Sequence, residues 1–242
     1  MPEGINPFDK ISLFSIKIFY LGSRAIPRLV LGRERRNKLL ANKRLSYEDL
    51  LVQYFQYRKK GKNNSELPKF RNPKYGFEFY CRNGEEFKMM LFHEWDVLEH
   101  FIPMEKDVVV DVGAHIGSYT IVSSKKVGQF GKVVAIEADP NNFDMLNQNI
   151  HLNKLTNVVS LNCAAYSKED RLKLFLPTSG KTADSEFTKY NTIMSQRAQG
   201  KQNFVEVSAN TLDTLLKQNG INQENVNWIK IDVEGAELEV LK

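Results

Sequence analysis

Three carboxylates each follow an expected strand: Asp111 after the apolar run Val108-Val109-Val110, Glu137 after the apolar run Val133-Val134-Ala135-Ile136, and Asp232 after the fourth strand, 226–231. Runs of this kind read as strands buried on both faces of a parallel sheet, and open α/β sheets bind ligands at the carboxyl ends of their strands. Asp111 opens the loop Asp111-Val112-Gly113-Ala114-His115-Ile116-Gly117, and a helix is expected over 118–127, ending at Gly128. Gly113 and Gly117 let the backbone turn sharply and approach a ligand with no Cβ in the way. A carboxylate at Asp111 suits a cationic ammonium and disfavours a pyrophosphate. His115 stands where a dinucleotide fingerprint has its middle glycine, so NAD is excluded on two counts.

Glu137 lies twenty residues after Gly117, where a strand-end carboxylate accepts both hydroxyls of a ribose. Asp139 and Pro140 then start a helix as N-cap and first helical residue, with Phe143, Leu146 and Ile150 as its buried stripe. A third strand, 158–161, leads into Asn162-Cys163-Ala164-Ala165, small residues that leave room for a flat base. Together these strand ends describe an adenosine site with a cationic tail, the shape of S-adenosylmethionine. At the fourth strand Asp232, Glu234 and Glu237 crowd the carboxyl end. Asp232 suits a base, a group orienting a substrate hydroxyl, or part of a divalent-ion site. Glu234 and Glu237 equally suit the dipole of the following helix. His115 and His93 are further candidates for a base.

The elements that must hold these groups follow from the patterning. Trp95, Leu98, Phe101 and Ile102 predict one helix face closed by Pro103. Residues 77–82 and 87–92 predict a hairpin about Asn83-Gly84. Residues 45–57 predict a helix capped by Ser46, and 58–74 a basic linker or loop. Alternating residues at 172–176 and 204–207 predict paired strands, with the polar stretch 177–203 between them as a candidate substrate lid or a plain loop.

The 242 residues are 42% apolar and 26% charged, globular values that exclude wholesale disorder and fibrous folds. The two cysteines, Cys81 and Cys163, have no metal-ligand spacing; they predict no zinc site and suit a reducing, cytoplasmic setting. The longest uncharged stretches, 112–124 and 155–167, are thirteen residues each, short of the ~18 needed to span a bilayer. MPEGINPFDK lacks the basic region and cleavage site of a secretory signal. Residues 1–74 hold 17 Lys/Arg against 6 Asp/Glu, a local +11 in a chain of net +5. The apolar, basic segment 5–38 therefore suits peripheral contact with a membrane surface, or a helix packed on the main domain or docked on a partner. Two units are expected: a basic helical appendage and linker over 1–74, and a cofactor domain over 75–242.

The segments VVVDVGAHIGSYT, AIEADPNNFDMLNQNIHLN, NTLDTLL and IKIDVEGAELEVL resemble the FkbM-type, class I S-adenosylmethionine-dependent methyltransferases over residues 94–242. IDVEGAE is the most specific piece. The resemblance implies a Rossmann-like α/β sheet and methyl transfer to a hydroxyl, often on a sugar or other small metabolite. It implies a methionine-side loop of Asp111, Gly113, Ala114, His115 and Gly117, with Glu137 on the ribose. Asp139 and Asn162 fall near the adenine, Ala138 and Ala164 are further cofactor-binding positions, and Asp232 faces the methyl. Glu94 matches an acidic position upstream of the glycine loop. The expected acceptor is a small-molecule hydroxyl, a glycan included. Nucleic acid is disfavoured, because three carboxylates after strand four repel phosphate and no Asn/Asp-Pro-Pro-Tyr turn is present. A class I domain has seven strands, whereas this chain reaches Lys242 in the helix after strand four. The sheet is thus expected to be truncated there, with strand four as a raw edge. A cofactor-binding scaffold is the alternative role.

Overall fold

The computed structural model describes residues 17–20, 67, 69–71, 76–82, 86, 101–176, 193 and 203–242. Its centre is a five-stranded, all-parallel sheet of β1 (Lys17–Tyr20), β4 (Val108–Val112), β5 (Lys132–Ile136), β6 (Val158–Leu161) and β10 (Val226–Ile231), in the order β1-β10-β4-β5-β6. From β6 to β10 this is the third, second, first and fourth strand of the cofactor domain, one half of a doubly wound sheet. The chain order reverses between β4 and β10. That is the switch point, where the strand ends open a crevice.

The valine runs alternate as the pleat requires. Val109, Val133 and Trp228 face one side, against Phe101, Tyr119, Ile121, Val122 and Val127. Val110, Val112, Val134, Ile136, Ile229 and Ile231 face the other, against Leu215, Leu216 and Val240. The covering helices are α1 (Ser118–Val127), α2 (Pro140–Leu152), α3 (Leu212–Gln218) and the short α4 (Glu237–Val240). Gly117 and Gly128 bound α1, and Asp139 caps α2, its side chain accepting from the Asn141 and Asn142 amides. Each of these boundaries is as the sequence predicts.

The expected paired strands form β8 (Asp170–Phe175) and β9 (Phe204–Asn210), antiparallel, with β7 (Ala164–Ala165) parallel to β9 in a second, three-stranded sheet. Of the lid candidate between them, only Ile193 and Asn203 are among the described residues.

Three expectations change. Strand four is not an edge: β1 runs parallel to β10, with Lys17 opposite Trp228 and Tyr20 opposite Ile231. The stretch 58–74 is not all linker, and the strand expected within 77–82 has a partner there: β3 (Glu78–Tyr80) pairs antiparallel with β2 (Lys69–Arg71). Residues 87–92 lie outside the described set. Finally, Phe101 is fully buried, but Ile102 is 54% exposed and 101–104 is not helical. Trp95, Leu98 and the predicted helix at 45–57 fall outside the described residues, as does 5–38 apart from β1. No helix among the described residues is long and apolar enough to cross a membrane.

Besides the burial of Phe77 and Phe79, two asparagines tie β3 to the domain: Asn149 on α2 and Asn153, its C-cap. Tyr80 N–H donates to Asn149 Oδ1 at 2.6 Å, and Asn149 Nδ2 donates to Tyr80 O at 3.3 Å. Glu78 N–H donates to Asn153 Oδ1 at 3.1 Å, and Asn153 Nδ2 returns a bond to Glu78 O at 2.6 Å. The amides thus satisfy the backbone of β3 as a neighbouring strand would. Asn149 Nδ2 also reaches Ile116 O at 2.9 Å, which brings this clamp to the glycine loop.

Candidate functional site

The loop 113–117 joins β4 to α1 at the switch point, and its backbone groups are almost wholly accounted for. Gly113 and Ala114 N–H both donate to Ile136 O, at 2.9 and 3.0 Å, and Gly117 N–H donates to Ala114 O at 2.9 Å. His115, at φ 52°, donates its N–H to Glu137 Oε2 at 2.8 Å. Gly113 is required by crowding as well as by its φ of 74°: a Cβ there would lie 2.0 Å from the Asp232 carbonyl oxygen. Gly117, at φ 98°, leaves room for Leu146, whose Cδ1 would sit 2.7 Å from an added Cβ.

Asp111 is completely enclosed. Thr120 Oγ1 donates to its Oδ2 at 2.6 Å, and the Lys230 ammonium lies 3.1 Å from its Oδ1. The cation the sequence leads one to expect there is therefore supplied by the chain itself. An open carboxylate offered to a ligand's ammonium is not what Asp111 presents, because a buried charge must be compensated within the fold.

Glu137 is nearly as enclosed but, among the described residues, is met by N–H groups. His115 N–H reaches Oε2, Asp139 N–H reaches Oε1 at 2.9 Å, and Asn142 Nδ2 lies 3.5 Å from Oε1. Burial pushes its carboxyl above the usual glutamate range, and the two backbone donors only partly offset this. A carboxylate oxygen accepts more than one bond, so Glu137 retains capacity for ligand hydroxyls. Burial likewise lowers His115 to about 4, with Arg82 and Lys230 acting in the same sense and Glu86 and Asp139 opposing. The imidazole is thus neutral at physiological pH.

Asp232 N–H donates to Val112 O at 3.0 Å, which locks the end of β10 to the end of β4. Its carboxyl is raised by burial, with Glu237 and Asp111 adding to the shift and Lys230 opposing it. Glu237 Oε1 accepts from Gly235 N–H at 3.1 Å, the helix-start role. Asn162, exposed, donates Nδ2 to Glu137 O at 2.9 Å and Ala138 O at 3.2 Å, so it clamps the ends of β5 and β6 together.

Several predicted residues act through packing. Ala114 is buried with Ala135, Leu146 and Ile150. Ala164 sits in the core of the second sheet with Leu174, Val207 and Ala209, and Ala138 packs against that cluster, so Ala164 does not leave an open slot for a base. Asp139 is committed to capping α2. Glu94 lies outside the described residues. No cluster of three metal-ligating side chains occurs among the described residues.

Sequence reasoning passed over two features. Lys230 is 3% exposed inside a strand read as apolar; a lysine in such a run signals a paired charge. Arg82 pairs with buried Glu86, its Nε 2.6 Å from Oε1, and donates Nη2 to Asn142 Oδ1 at 2.6 Å. It thereby reaches the side chain that touches Glu137. Nothing in the local pattern joins 82 to 142.

This fold and site define a class I S-adenosylmethionine-dependent methyltransferase domain. More narrowly, the pattern of the "Methyltransferase FkbM domain" matches residues 111–242, and the chain belongs to that family. Methyltransferase sdnD of Sordaria araneosa is 32% identical over 155 residues, covering 55% of this chain and 59% of that protein. The structure of methyltransferase FkbM from Methylobacillus flagellatus KT covers 68% of this chain and 32% of its own, at 18% identity and a TM-score of 0.36. That of M. jannaschii TYW2 in complex with AdoMet covers 41% of this chain and 45% of its own, at 32% identity and a TM-score of 0.29. The chain spans less than two thirds of the length of each of these proteins.

The cofactor is S-adenosylmethionine, and the residues present fit it. Glu137 offers acceptor capacity at the end of the second strand, where a ribose is held.

Proposed function

We propose that the chain transfers the methyl group to a hydroxyl oxygen on a sugar or other small metabolite, with Asp232 as the group that meets the acceptor. The observation that carries this reading is the close packing of the Asp232 backbone on Gly113, beneath a carboxyl group whose affinity for protons is raised by burial. S-adenosylmethionine supplies an electrophilic methyl on a good leaving group. The protein's task is mainly to align the acceptor oxygen with that methyl. Asp232 then takes the hydroxyl proton on a carboxylate oxygen as the new bond forms. A raised proton affinity makes it a better base than an exposed aspartate, although an ordinary hydroxyl leaves positioning the larger share. The glycine loop, held by Ile136 and Glu137, stays fixed while this occurs.

The test is incubation with methyl-labelled S-adenosylmethionine and a panel of monosaccharides and small alcohols, with products identified by mass and fragmentation. The reading expects an O-methyl product that Asp232→Asn abolishes while cofactor binding persists. Label on nitrogen or RNA, or full activity in Asp232→Asn, would overturn it.

A further inference from the structure

The parallel register sets Lys230 of β10 directly opposite Asp111 of β4. Both side chains turn to the sheet face covered by α1, where Thr120 meets Asp111 and the ring of Tyr119 lies 5.2 Å from the Lys230 ammonium. The ammonium goes beyond pairing with Asp111. It donates to Gly113 O at 2.6 Å and lies 3.5 Å from Val112 O.

The loop's N–H groups are anchored on the β5 side, by Ile136 O and by the Glu137 carboxylate. Its first carbonyls are anchored on the β10 side, by Lys230. One buried cation therefore joins the strand-end carboxylate, the cofactor loop and the strand that carries Asp232. We infer that Lys230 is a positioning residue for S-adenosylmethionine: it fixes the Gly113 peptide, and so the loop, in the shape that receives the methionine end of the cofactor.

Charge balance alone would be a lesser role, and the two separate experimentally. Lys230→Met by itself strands Asp111 as an uncompensated buried charge and is expected to unfold the domain. The informative variant is therefore Lys230→Met with Asp111→Asn, which removes both charges at nearly constant volume. The inference rests on the cofactor and not on the identity of the acceptor, and the parent chain in the same titration provides the reference. Thermal melting and calorimetric titration with S-adenosylmethionine are measured on the parent and on the double variant.

The expected result is a cooperative melting transition in both, with affinity for S-adenosylmethionine weakened roughly ten- to hundred-fold in the double variant, as when a positioned group shifts by about an ångström. Parent-like affinity in the folded double variant would reduce Lys230 to a counter-ion for Asp111 and overturn the proposal. A double variant with no melting transition would make Lys230 a requirement of the fold and overturn it equally.

Discussion

Two carboxylates end neighbouring parallel strands, Asp111 on β4 and Glu137 on β5, and both are nearly excluded from water. They are satisfied in opposite ways. Asp111 faces an ammonium and a hydroxyl supplied by the chain. Glu137 is met by N–H groups, which only partly offset the rise in proton affinity that its burial causes. The first carboxylate shapes the loop from beneath. Among the described residues no cation contacts the second, which keeps acceptor capacity for a ligand. Two carboxylates on adjacent strands, two positions apart in register, thus divide into a framework role and a binding role, according to what their neighbours contribute.

The strongest break in that comparison is Asp111→Ala. It leaves the Lys230 ammonium buried without its partner and should cost about 3–5 kcal/mol of stability, measured by denaturant unfolding. Gly113→Ala attacks the same end through the backbone. Its Cβ would meet the Asp232 carbonyl at 2.0 Å, at a φ of 74°, and a loss of about 2–4 kcal/mol is expected together with loss of cofactor binding.

At the Glu137 end, His115 is the pH-sensitive member. Its folded pKa of about 4 lies below the ordinary histidine value of 6.5, so the unfolded chain takes up the proton first. Stability should therefore fall by on the order of 2 kcal/mol as pH drops from 6.5 towards 4. His115→Asn, whose side chain tolerates the left-handed backbone, should lack that component when the two stability–pH curves are compared. Asn162→Ala removes an exposed clamp on the Glu137 and Ala138 carbonyls, and a shift below about 1 kcal/mol is expected.

Strand–loop–helix units were legible because their signals are local. Valine runs, glycines at a turn and an Asp-Pro cap each act within a few residues of themselves, and β4, α1, β5 and α2 appear where those signals fall. Contacts set by the fold were not legible. Lys230 looks like an interruption of a strand until register puts Asp111 across from it. Asn149 and Asn153 look like the wet side of a helix, because an apolar-stripe reading assigns polar residues to solvent; they bind the backbone of β3. The pairing of β3 with β2 likewise joins residues that the sequence divides between a linker and a hairpin. For the same reason the partner of β10 was sought after the fourth strand, whereas it comes from residues 17–20.

The most direct test of the division between the two carboxylates is calorimetric titration of the parent chain and Glu137→Gln with S-adenosylmethionine at neutral pH, with melting curves beside it. The amide removes a penalised buried charge and turns one acceptor oxygen into a donor facing an N–H. These effects oppose one another, so stability should change by no more than about 1 kcal/mol. Above the raised folded pKa the parent carries the full cost of ionising Glu137. As pH falls towards 4.5 it regains that stability relative to the variant, because the folded chain binds the proton first. Affinity should nonetheless fall about ten- to hundred-fold, since the ribose hydroxyls lose a charged acceptor. A variant that folds as well as the parent and binds S-adenosylmethionine just as tightly would contradict the account.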